Sequence, residues 1–258
     1  MRNWGRNIVI DGSWLEQAGA YQGNQDTFGL RPYKAEIYER HVQDLMRQLE
    51  QSSKVGGAMI KAINQSPRQL RIVPHLVGSV AATSAHIVTT GKENQCLKVA
   101  CAAGGSDVVI RFEPQTYTNT FFREQWDRSG IVRPDDVLLH ELIHALRIMR
   151  GILDWTPMGN KYDRVEEFCV ILLTNIYVSE VGRTNDLRGD HRAPFVTLKQ
   201  ANHSHWGDAD VIHYMNFQKE IDGLVKAMPD ICAAITSLNI EWNPIRRQYW
   251  HYKLQGNW

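Results

Sequence analysis

The chain has 258 residues, of which 43% are hydrophobic and 22% charged, and its formal net charge is +1. These values are ordinary for a globular protein with a real core in one or two domains, and they exclude the strongly basic field of a nucleic-acid binder. No apolar run approaches the roughly 20 residues that span a bilayer, and Met1 to Asn7 lacks the apolar centre of a cleavable secretory signal.

In chain order, the stretch to Arg31 is rich in Gly, Gln and Asn and reads as irregular apart from a short Ile8-Val9-Ile10 strand. From Tyr33 to Gln51, Tyr38, Val42, Leu45 and Leu49 recur at helical intervals among charged residues, and a shorter helix follows over Val55 to Ile63. Extended segments come next: Leu70 to Val73 before Pro74, His86 to Val88, Cys96 to Cys101, and Val108 to Phe112. Helices are expected over Pro134 to Arg150 and Tyr162 to Ser179, then a long polar loop over 181 to 208. Helical patterns return over Asp208 to Ala227 and Asp230 to Leu238, before an aromatic-rich tail. With no repeat and no linker, the expectation is a single α+β domain over 1–258, a small antiparallel or mixed sheet followed by a helical C-terminal half.

The four cysteines, Cys96, Cys101, Cys169 and Cys232, form no C-x-x-C pair, which argues against a structural cysteine zinc site. Cys96 and Cys101 are near enough in sequence to pair in an oxidising compartment, although two thiols is the simpler reading; Cys169 falls in an apolar helical pattern.

One string carries chemistry: Leu138-Leu139-His140-Glu141-Leu142-Ile143-His144-Ala145-Leu146, an H-E-x-x-H motif. On a helix His140 and His144 project from one face a turn apart, so both imidazoles can reach one Zn2+, with Glu141 beside them to act on the attacking water. A surface helix with two incidental histidines is the bland alternative. Val137, Leu138, Leu139, Leu142, Ile143, Ala145, Leu146, Ile148 and Met149 leave no polar face, however, which marks a buried helix. Two imidazoles and a carboxylate are costly to bury without a shared partner, and a metal ion is the simplest one. Pro134, Asp135 and Asp136 suit the helix start, and Gly151 suits its end.

A catalytic zinc takes three protein ligands and keeps a position for water. Glu166 and Glu167, 22 and 23 residues after His144 on the next apolar helix, can supply the third, and helical geometry leaves the choice between them open. His191, His203 and His205 on the polar loop are rivals that read more simply as solvated surface residues.

Leu139 to Ile152, reading L-H-E-L-I-H-A-L-R-I-M-R-G-I, resembles the zinc helix of gluzincin-type toxins. It is similar to the clostridial neurotoxin light chains and to the NleD-like bacterial effector metallopeptidases, in which H-E-L-I-H-A is followed by a Glu-Glu pair on a helix, here Glu166-Glu167. In the neurotoxin pattern the second glutamate is the ligand, so the resemblance implies Glu167. Gln48-Leu49-Glu50 through Gly56-Gly57 to Ile63 resembles the helix and small-residue turn that precede the sheet in effector metallopeptidases. Phe168-Cys169-Val170 departs from the neurotoxins' L-R-T, and the resemblance covers about a quarter of the chain. It implies a zincin-like fold.

The expected chemistry is zinc-dependent peptide hydrolysis with His140, His144 and Glu167 as ligands and Glu141 as general base. Candidate donors to the developing oxyanion are Arg246 and Tyr249, spaced as R-x-x-Y like the pair of the neurotoxin light chains, and His213-Tyr214; packing is the plainer role for both. The leading expectation is an endopeptidase acting as an effector or toxin domain, secreted without a cleavable signal peptide, on a protein substrate in a target cell. An antibacterial version would require a cognate immunity protein. A cytoplasmic housekeeping zinc peptidase and a non-catalytic, zinc-stabilised binding module are the alternatives.

Overall fold

A computed structural model describes residues 1–13, 35–74, 84–87, 104–112, 114, 133–158, 162–188, 195–196 and 208–246. These fall into two compact units, Met1–Leu49 with Met59–Leu153, and Glu50–Ala58 with Asp154–Trp258. The architecture is mixed α+β.

The first unit is built on a five-stranded mixed sheet of β1 (Arg2–Trp4), β2 (Ile8–Ile10), β3 (Leu70–Pro74), β4 (Ser84–Ile87) and β5 (Val108–Phe112), ordered β1-β2-β3-β5-β4. β2, β3 and β5 run parallel in register, Ile10 beside Ile72 and Ile72 beside Ile110, while β1 and β4 are antiparallel edges. β5 shows the alternation of a sheet with one buried face: Val108, Ile110 and Phe112 are inside, and Arg111 is exposed. Helix α1 (Ala35–Ser52) buries Tyr38, Val42, Met46 and Leu49 along one stripe, and the Tyr38 hydroxyl donates to the Phe112 carbonyl at 3.1 Å. Helix α2 (Lys54–Gln65) follows after a break at Ser53.

Helix α3 (Pro134–Met149) packs on β4 and β5. It starts where expected, with Arg133 extended, Pro134 in the first turn, and Asp135 and Asp136 beside it. It ends in a Schellman arrangement: Gly151 N–H donates to Ile148 O at 2.9 Å and Ile152 N–H to Arg147 O at 3.0 Å, with Gly151 at φ 66°. The buried Arg147 side chain adds a bond to Ile152 O at 3.1 Å. Gly105 (φ 95°) lies so close to this helix end that an ideal Cβ there would stand 1.8 Å from the Met149 carbonyl oxygen. Only glycine admits that approach.

In the second unit, helix α4 (Val165–Glu180) is apolar on all sides and packs on α5 (Asp208–Ala227), which in turn meets α6 (Pro229–Thr236). Its C-terminus repeats the Schellman pattern through Gly182 and Arg183. Its last residue, Glu180, reaches the amino end of α2. There Oε1 accepts from Lys54 N at 2.6 Å, and Oε2 accepts from the Ser53 hydroxyl at 2.6 Å and Val55 N at 3.1 Å. Ser53 itself caps Gly56 N at 2.9 Å.

Several local expectations are corrected. Arg2–Trp4, expected to be irregular, is a strand, because pairing with β2 supplies the order that its polar composition does not. β4 sits two residues earlier at its start than His86. Gly56-Gly57 do not form a turn but lie inside α2; the chain turns at Ser53. α4 begins at Val165 rather than Tyr162, since residues up to Arg164 pair with the preceding segment. The polar stretch after α4 contains a 3₁₀ turn (Thr184–Asp186) and a small hairpin of β6 (Leu187–Arg188) and β7 (Phe195–Val196). The Asn175 amide on α4 ties β6 to the helix, donating to Arg188 O at 2.8 Å and accepting from Arg188 N at 2.9 Å. The expected strand Cys96 to Cys101 lies outside the described residues.

Candidate metal centre

Thirteen of the sixteen residues of α3 are buried, His140 and Glu141 among them, and His144 is half-buried one turn on. The two imidazoles meet edge to face with ring centroids 4.9 Å apart, as i and i+4 positions on one helical face dictate.

The start of α4 is set by a short antiparallel ladder. Residues 154–158 run against 163–166: Glu166 N–H donates to Asp154 O at 2.8 Å, Val165 N–H to Thr156 O at 2.9 Å, and Met158 N–H to Asp163 O at 3.3 Å. Glu166 is fully buried, and its Oε2 accepts from Asp154 N at 3.2 Å. That bond turns one carboxylate of the Glu-Glu pair toward the ladder. The other, Glu167, is half-buried, and one of its oxygens lies with a ring nitrogen of His140 and one of His144, all within 4.8 Å of one another. Two imidazole nitrogens and a carboxylate oxygen are the donor set of a catalytic zinc site, and this His-His-Glu group can hold a metal ion.

Of the other predicted residues, Arg246 is exposed and donates to Asn239 Oδ1 at 3.1 Å. Tyr249, His191, His203, His205, Cys96 and Cys101 lie outside the described residues, and His213 and Tyr214 fall on α5 with their side chains outside the description. Cys169 and Cys232 are both buried, Cys169 in its expected apolar setting. Sequence reasoning missed the role of Asp154: nothing in its local pattern signals that its backbone amide and carbonyl are the partners of Glu166.

The chain matches the sequence model of the Peptidase M91 effector protein family over residues 27–204, more than half its length. Comparison with curated proteins and with solved structures gives no match.

Proposed function

The chain belongs to the Peptidase M91 effector family, an NleD-like group of effector metallopeptidases, and from that premise we propose that it is a zinc-dependent endopeptidase. It would be delivered into a target cell to cut a protein there. The observation that carries the reading is the grouping of His140, His144 and Glu167, with Glu141 next to His140 on the same helix. The domain runs over residues 1–258 with a zincin-like arrangement of sheet and H-E-x-x-H helix. In support, the family match includes α3, α4 and most of the sheet.

His140, His144 and Glu167 would hold the ion. Bound zinc supplies Lewis acidity toward the scissile carbonyl and makes water a nucleophile at neutral pH. The residues do the remaining work. Glu141 accepts a proton from the water as its oxygen adds to the carbonyl carbon, then delivers that proton to the amine nitrogen as the C–N bond breaks. Burial of Glu141 keeps its carboxylate out of bulk water, where a proton would be lost to solvent. α3 carries His140, Glu141 and His144 on one helix, whose periodicity fixes their relative positions, and Gly151 and Ile152 close its end.

Among the described residues no helix is long and apolar enough to cross a membrane. The partner of the reaction is a protein substrate; if the target is a bacterium, the producing cell needs a cognate immunity protein. The test is purified protein against proteome-derived peptides, with Glu141→Gln as comparison. Wild type should bind about one zinc and cleave, whereas Glu141→Gln should keep zinc and lose roughly 10²–10⁴ of the rate. Equal cleavage by both would remove Glu141 from the mechanism, and zinc binding without any cleavage would favour a metal-stabilised binding module.

A further inference from the structure

Trp155 is 37% exposed, and among the described residues the only other exposed large hydrophobic side chain is that of Met1. One exposed indole is ordinary on a protein surface, and what distinguishes this one is the cation stacked on it. Arg164, also exposed, stacks on it with its guanidinium carbon 4.4 Å from the ring centroid. The two belong to the paired segments of the short ladder, where Pro157 bridges Arg164 and Thr156 O holds Val165 N.

The stacking has a chemical consequence. A guanidinium lying on an aromatic face is held in orientation through its face, while its N–H donors, all in the plane, stay available at the edge. Among the described residues no carboxylate pairs with Arg164. Two carboxylates of the ladder are turned to backbone amides: Asp154 Oδ1 accepts from Thr156 N at 3.0 Å, and Glu166 Oε2 from Asp154 N at 3.2 Å. A preoriented fork of donors at the surface matches a carboxylate in bidentate fashion.

Location ties this pair to the reaction. Arg164 is three residues before Glu167, so their Cα atoms are at most about 11 Å apart at 3.8 Å per residue. The Arg164 side chain adds its own reach to that span, so on an extended peptide advancing about 3.3–3.6 Å per residue the residue bound at Arg164 lies within several positions of the bond being cut.

We infer that Trp155 and Arg164 form a specificity subsite that takes an aspartate or glutamate side chain of the substrate near the scissile bond. The inference rests on the peptidase reading above and adds to it the substrate class, a peptide acidic on one side of the cut. Trp155 is the platform and Arg164 the ion-pairing group, and neither touches the reacting atoms.

The test is cleavage-site profiling of the zinc-loaded full chain on a proteome-derived peptide library, followed by kinetics on a matched peptide pair bearing Glu or Gln at the preferred position. Wild type should show acidic enrichment at one position within several residues of the cut. The Glu peptide should be favoured roughly three- to tenfold, mainly through KM, with the preference fading as salt rises. Arg164→Gln should erase the preference by raising KM for the Glu peptide to that for the Gln peptide, and Arg164→Glu should reverse it toward lysine and arginine. Trp155→Ala should weaken the preference, and Trp155→Phe, which keeps a ring beneath the guanidinium, should restore most of it. Cleavage with no acidic enrichment, or a profile identical in wild type and Arg164→Glu, overturns the subsite while leaving the peptidase reading intact. Absence of cleavage by wild type overturns both.

Discussion

Glu166 and Asp154 are joined twice: the Glu166 carboxylate accepts from Asp154 N at 3.2 Å, and Glu166 N–H donates to Asp154 O at 2.8 Å. The pair closes the entry to α4 one residue before Glu167, so the backbone that presents Glu167 is held from both sides. A fully buried carboxylate is costly unless it is hydrogen-bonded, and here it satisfies an amide that would otherwise be left without its acceptor.

Removing that carboxylate should therefore be felt in metal affinity. Glu166→Ala is expected to cost about 1–3 kcal/mol of stability and to weaken zinc binding roughly 10–100-fold, as loss of a group that orients a ligand does. Glu166→Gln, which keeps one acceptor oxygen, should lose less of both. Competition with a chromogenic chelator reads the affinity and thermal denaturation the stability. Unchanged zinc affinity in Glu166→Ala would show that Glu167 is positioned without its neighbour.

The three-ligand set predicts how the metal comes and goes. Dialysis against a chelator should abolish peptidase activity, and about one equivalent of zinc should restore it. His144→Ala leaves two ligands, and its zinc content after gel filtration should fall well below stoichiometric. Full zinc occupancy in His144→Ala would place the ion elsewhere.

Gly105 and Gly104 provide an internally controlled comparison. Both have positive φ, but a Cβ on Gly105 would meet Met149 O at 1.8 Å, whereas nothing lies within 4 Å of one on Gly104. Gly104→Ala should cost only the conformational penalty, about 1–2 kcal/mol. Gly105→Ala adds a clash with the end of α3 for a total of about 2–5 kcal/mol. Thermal unfolding of the two variants should differ clearly, and equal Tm values would contradict the close approach.

How much of this was legible beforehand follows from the length scale of each signal. α3 could be read because its apolar residues, its Pro134-Asp135-Asp136 start and its Gly151 stop all lie within one stretch of chain. β3 and β5 could be read for the same reason, as short Val- and Ile-rich runs. β1, β6 and β7 span only two or three residues, too few for a period to show, and owe their form to partners such as Ile8–Ile10 and Asn175. The choice between Glu166 and Glu167 was equally illegible from spacing, since both sit on one apolar helix. What separates them is a backbone partner, Asp154, twelve residues upstream of Glu166.

Glu180 carries a consequence for the order in which the chain takes shape. The amide of Lys54 and the carboxylate that accepts its bond are 126 residues apart. At about 5–20 residues per second, a ribosome needs roughly 6–25 s to reach Glu180 after Lys54 has been made. For that interval α2, a twelve-residue helix, has only Ser53 at its amino end, and helices of that length are marginal on their own. The first turn of α2 is thus completed late, after β1 to β5 and α3 have been synthesised. A nascent chain released before residue 180 would leave that turn open.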